Sequence, residues 1–174
     1  GHLLGGAWTY APGGYSARRD VQVLAVCDVW KDRRETAARR VNENYAEIFG
    51  TGKYQSCEAY RDYRDVLARA DIDAVLIASP VHWHGVMAIQ AAKAGKDIYC
   101  EKPTAITIRE SQAIKAAVQR YGRVFQAGTQ QRSEYGGKFR RACELVRNGA
   151  IGEPLLDATG FAFPYTVWGV VLAH

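Results

Sequence analysis

The run Asp73-Ala74-Val75-Leu76-Ile77-Ala78 is apolar without interruption after its opening acid, and Ser79-Pro80 stops it. A strand with no polar face must be covered on both sides, which is the signature of a parallel sheet. Parallel neighbours can be joined only by a crossover, usually a helix. The rest of the chain supplies that alternation. Val21 to Cys27 reads as an apolar strand ending on Asp28, followed by a helix from Arg33 to Ile48 and a shorter one from Asp62 to Ala70. His84 to Ala94 reads as a helix that Gly95 terminates, and Asp97 to Cys100 as the next strand. Thr107 to Tyr121 carries a helix start signal, with Thr107 as N-cap and Glu110 three residues on as its reciprocal partner; Gly122 marks its end. Arg123 to Ala127 is a further strand, and Gly136 to Arg147 has helical spacing before Asn148-Gly149 stops it.

Strands alternating with helices specify an α/β fold built on a parallel sheet. Residues 1–128 form the sheet-bearing domain in this reading. Residues 129–174 are a linker and the beginning of a second α/β domain, with a further strand at Pro154 to Thr159 and an aromatic, almost uncharged tail. The phosphate-binding pattern G-x-G-x-x-G is not in the sequence. The segment His2 to Tyr10 reads as the helix that follows such a loop, so the sheet is expected to lack its first strand, which falls before Gly1. Ala11 to Tyr15 reads as an ordinary helix-to-strand connection.

Composition narrows the function classes. The formal charge of +5 is dispersed, because Arg18-Arg19, Arg33-Arg34 and Arg39-Arg40 stand beside acids. No long basic run or interleaving of aromatic with basic residues suggests nucleic acid. No apolar run approaches the ~18 residues of a membrane span. Cys27, Cys57, Cys100 and Cys143 are far apart with no CxxC pair, which suits buried free thiols in a reducing compartment and offers no zinc site. A cytoplasmic location is expected on that basis.

Chemistry concentrates at the predicted strand ends, where ligands of open α/β sheets sit. Glu101-Lys102-Pro103 follows the strand Asp97 to Cys100, and a lysine there is either a catalytic acid or base or part of a salt-bridged turn. Asp28 is either an acceptor for both ribose hydroxyls of an adenosine or an N-cap carboxylate for the helix starting near Lys31. An acceptor carboxylate there would repel a 2′-phosphate, although Lys31 and Arg33 lie close enough to blur a preference for NAD over NADP. Ser79-Pro80-Val81-His82-Trp83-His84 either lines a pocket or simply opens a helix. Its two histidines lack an acidic or thiol partner at ligand spacing, so no metal is expected. Gln126, Gln130, Gln131 and Arg132 surround the end of the last strand, either as a solvated loop or as contacts to a cofactor or an anionic substrate group.

Taken in order, Val21 to Asp28, Ala78 to His84, Ala94-Gly95-Lys96, Glu101-Lys102-Pro103, "GTQQRS" and "LVRNGAIGEP" resemble the Gfo/Idh/MocA family of NAD(P)-dependent oxidoreductases. The resemblance implies a Rossmann-like doubly wound parallel sheet and hydride transfer at a hydroxyl or carbonyl carbon of a sugar, inositol or related polyol. It implies that Asp28 binds the adenosine ribose and that Ser79, Pro80, His82, Trp83, His84 and Glu101 line the cofactor. Lys102 would contact the cofactor and hold the substrate hydroxyl, assisting its proton transfer, with Gln130 near the nicotinamide and Arg132 on the substrate. The chain departs from the family pattern in lacking the glycine-rich loop and the aspartate and histidine of the C-terminal domain; His174 does not match the latter. The fragment alone is therefore expected to be inactive, and the full-length protein is expected to be a homo-oligomer. Similar sequences include glycosidases that use bound NAD for transient oxidation and elimination; the "VHWH" turn is similar to theirs, but they lack the lysine of the EKP motif. A non-catalytic dinucleotide- or sugar-binding regulatory module is the third reading.

Overall fold

The computed structural model describes residues 20–50, 52, 56–129 and 135–150. The chain divides into two compact units at Gly128/Thr129. The first holds β1 (Ala25–Cys27), α1 (Lys31–Phe49), β2 (Glu58–Tyr60), α2 (Tyr63–Ala68), β3 (Ala74–Ile77), α3 (Val81–Lys93), β4 (Asp97–Glu101), α4 (Ile108–Tyr121) and β5 (Phe125–Gly128). Every strand pairing is parallel, as expected from the apolar run at β3, but that strand is not covered on both faces: Ile77 is buried while Ala74 and Leu76 are exposed. β1 pairs with β2, and β3-β4-β5 form a second ladder in that order. Among the described residues no strand joins the two ladders. The expected first strand and the segments 2–15 and 154–159 fall outside the described residues.

Two cores sit under these ladders. Val26, Ala37, Ala38, Val41, Tyr45 and Cys57 pack α1 onto β1 and β2. The Tyr45 hydroxyl accepts from Val23 N at 2.9 Å, and the Asn42 side chain accepts from Ser56 N and Cys57 N while donating to Cys57 O. The second core is built from Ile77, Ile98, Cys100, Ile114 and the alanines of α3. Ala88, Ala91 and Ala92 have no exposed surface, and their i, i+3, i+4 spacing puts them on one narrow face. Small side chains there let α3 lie close on the strands. Full burial of Ile77 and Ile98 contributes about 1.5–3 kcal/mol each.

Several elements differ in extent from the sequence reading. The helix after Ser79-Pro80 begins at Val81, not His84, because Pro80 itself is the N-cap with φ −56° and ψ 142° and feeds directly into helix. His82, Trp83 and His84 therefore lie within the first turns of α3. β4 runs one residue further, through Glu101, whose ladder partner is Gly128. β1 is shorter than Val21 to Cys27 because its partner β2 has only three residues. β2 itself was not expected from the sequence. Asp62 is the N-cap of α2, accepting from Arg64 N at 2.9 Å. The capping box at Thr107 and Glu110 is formed in full, and Gly122 closes α4 at φ 61° in the left-handed region. In the second unit, Gly136 and Gly137 both have positive φ, so the expected helix is broken into a short 3-10 turn, Tyr135–Gly137, and α5, Lys138–Arg147.

Candidate functional site

Parallel pairing places the carboxyl ends of β3, β4 and β5 side by side. They lead into Ala78-Ser79-Pro80, Lys102-Pro103 and Thr129 respectively. Glu101 is 8% exposed although it is a carboxylate at a strand end, and its Oε2 accepts from Lys102 N at 3.2 Å. Lys102 is exposed, and its ammonium forms no hydrogen bond or ion pair with the described residues. The Lys102–Pro103 peptide bond is cis.

The helix opening beside this loop presents its residues unequally. His82 and Trp83 are exposed, with ring centroids 6.1 Å apart, while Ser79 is half-buried and Pro80 exposed. His84 is almost fully buried at 2% exposure. Its Nδ1 lies 2.8 Å from Pro103 O and its Nε2 2.7 Å from Ser79 O. That bridge between the two strand-end loops was not foreseen from the sequence, because its partners are backbone carbonyls.

Asp28 stands at the end of β1, where its backbone N–H continues the ladder to Tyr60 O at 3.2 Å. Its Oδ1 accepts from Trp30 N at 2.8 Å. The helix N-cap is Trp30, so Asp28 rigidifies the turn before α1 and does not cap the helix. Val29 and Trp30 are exposed, and the Arg33 guanidinium lies 4.4 Å from the Trp30 ring centroid, a cation–π pair. Arg34 donates to the carbonyls of Asp28 and Val29, and Lys31 pairs with Glu35 at 3.8 Å. Gln126 on β5 donates to Ala127 O. Gln130, Gln131 and Arg132 fall outside the described residues.

The three thiols of the first unit offer no alternative chemistry. Burial, with help from the Asp62 and Asp28 charges, pushes Cys27 up to about 11. Burial likewise raises Cys57 and Cys100 to about 11 each, so all three stay protonated at neutral pH and are poor nucleophiles or ligands. Among the described residues no three histidines, cysteines or carboxylates converge on a metal-sized space, and no helix is long and apolar enough to cross a membrane. A depression of about 200 Å³ flanks α4 and β5, between Ser111, Lys115, Gln119 and Phe125. It takes no residue from Asp28, Ser79 to His84, or Glu101-Lys102, so it is separate from the strand-end site.

Comparison with known proteins gives this arrangement a context. The family model described as "Oxidoreductase family, NAD-binding Rossmann fold" matches residues 6–129. Inositol 2-dehydrogenase of Salmonella typhimurium is 31% identical over 137 residues, covering 78% of this chain and 37% of that protein. A glycosyl hydrolase family 109 protein of Shewanella baltica is 34% identical over 138 residues, covering 78% of this chain and 28% of that protein. Among solved structures, myo-inositol 2-dehydrogenase from Lactobacillus plantarum superposes with a TM-score of 0.59 at 27% identity, over 79% of this chain and 36% of that one. The chain thus spans about a third of the length of the relatives it matches.

Proposed function

The chain belongs to the Gfo/Idh/MocA oxidoreductase family, with its NAD-binding Rossmann fold, and from that premise we propose that the full-length protein is a nicotinamide-dependent dehydrogenase of a sugar, inositol or related polyol. The observation that carries the proposal is Lys102: an exposed ammonium at the end of a parallel strand, directly after a buried glutamate. A cation at a strand end can bind a substrate hydroxyl and exchange its proton, a role that contributes about 10²–10⁴-fold in rate. The bound cofactor supplies the hydride acceptor or donor.

The residues present fit such a cofactor. Asp28 Oδ1 is fixed by the amide of Trp30, giving a rigid carboxylate acceptor at the end of β1 for the adenosine ribose hydroxyls. Lys31 is paired to Glu35, Arg33 is stacked on Trp30 and Arg34 donates to the carbonyls of Asp28 and Val29, so the three nearby cations already have partners, which favours NAD over NADP. Ser79, Pro80, His82, Trp83 and Glu101 would line the cofactor on the β3–β4 side, and Gln130 its nicotinamide end. Arg132 would meet the substrate. The residues beyond Thr129 would open the substrate domain, and the full-length protein would pair into a homo-oligomer.

A second reading is favoured by the similarity to the family 109 glycosyl hydrolase protein. Glycosidic cleavage through transient oxidation would use the same fold and consume no net cofactor. A panel of polyols and sugars, together with aryl glycosides, separates the two. With full-length protein and NAD, substrate-dependent NADH absorbance is expected. Aglycone release without net NADH would replace the dehydrogenase reading with the glycosidase one.

A further inference from the structure

We propose that His84 is a positioning residue: its ring, within hydrogen-bond distance of the carbonyls of both Ser79 and Pro103, fixes the loop that carries Lys102 to the turn that opens α3. The inference rests on the reading of Lys102 as the proton-exchanging group. Nε2 lies 2.7 Å from Ser79 O and Nδ1 2.8 Å from Pro103 O, on a side chain with 2% exposure. Carbonyl oxygens only accept. Either tautomer of the ring carries one N–H, which donates to one of these carbonyls while the ring is packed against the other.

The topology gives the clamp its consequence. Ser79 follows β3 and Pro103 follows β4, and these strands are ladder neighbours. One buried ring therefore ties two adjacent strand ends together, one residue past Lys102. Because the Lys102 ammonium has no partner among the described residues, its position depends on the backbone that the clamp holds.

The test uses the full-length protein and its His84→Gln variant. In His84→Gln, which keeps its donors on a single nitrogen, amide exchange at Lys102 and Thr104 is expected to quicken roughly tenfold, the size of one net hydrogen bond. Unchanged exchange there refutes the positioning role. The same variant, its fold checked by near-ultraviolet circular dichroism, should lose about tenfold or more in kcat, with KM changed by less than about twofold, as for a misplaced catalytic group. An unchanged kcat in the folded variant also overturns the proposal. If the wild-type protein turns over no polyol, the dehydrogenase reading fails, while the exchange measurement still decides the role of His84.

Discussion

The two ends of the same parallel strands are built to opposite rules. At the amino ends, charges are consumed within the fold. Arg69 donates through Nε and Nη2 to both oxygens of Asp71, and through Nη1 to Leu24 O, Glu58 and the Tyr60 hydroxyl. The buried ammonium of Lys96 donates to Arg69 O and Ile72 O, and Asp97 accepts from Val124 N. These contacts stitch the β1–β2 ladder to the start of β3 and β4. At the carboxyl ends, Lys102, His82 and Trp83 stay exposed, and Asp28 is held through one carboxylate oxygen. One end ties its charges into the fold, while the other leaves polar groups exposed.

The sharpest way to break that contrast is to exchange the fate of the two lysines. In the full-length enzyme, Lys102→Ala is expected to lower kcat by about 10²–10⁴-fold with Tm unchanged, because an exposed side chain is removed. Steady-state kinetics beside a thermal melt check this; full activity would remove Lys102 from the mechanism. Lys96→Met should do the reverse. It strands one buried and one partly buried carbonyl and costs about 2 kcal/mol of stability, read from urea unfolding, while kcat per folded molecule is retained. The smallest effect sharpens the picture with pH. The Arg69 guanidinium, bonded to Asp71, holds that carboxyl below its ordinary range. A carboxylate depressed in the folded state adds stability above its ordinary pKa, and that stability is lost as pH falls through the lowered value. Asp71→Asn should therefore flatten the acid limb of stability against pH. An acid limb identical to the wild type's would show that the pair adds nothing.

What was legible in the sequence was local. The capping box of Thr107 and Glu110, the Asp62 start of α2 and the glycine stops are decided by residues within one turn of each other, and all are formed. The α/β class followed from the apolar run at β3, whose core-facing Ile77 is buried. β2 was not legible, because Glu58-Ala59-Tyr60 has no periodicity of its own and becomes a strand by pairing with β1. His84 was legible as a polar residue of interest but not as a bridge. Its partners are main-chain carbonyls at residues 79 and 103, and no side-chain pattern marks where a carbonyl will point. The Arg69 and Lys96 contacts escaped for the same reason, since three of their acceptors are the backbone oxygens of Leu24, Arg69 and Ile72.

The β3-β4-β5 ladder has one more consequence, for the order in which the molecule assembles. Each of its pairings joins strands that are consecutive in the chain, separated by a single helix that packs on the same core. Closing such short loops costs little entropy, and contacts close in sequence form early. The stretch from Ala74 to Gly128 can therefore condense as one cooperative block without waiting for β1 or β2. Pulse-labelling of amides during refolding should find β3, β4, α3 and α4 protected together, ahead of the β1–β2 ladder; simultaneous protection of both ladders would show that the blocks are not independent.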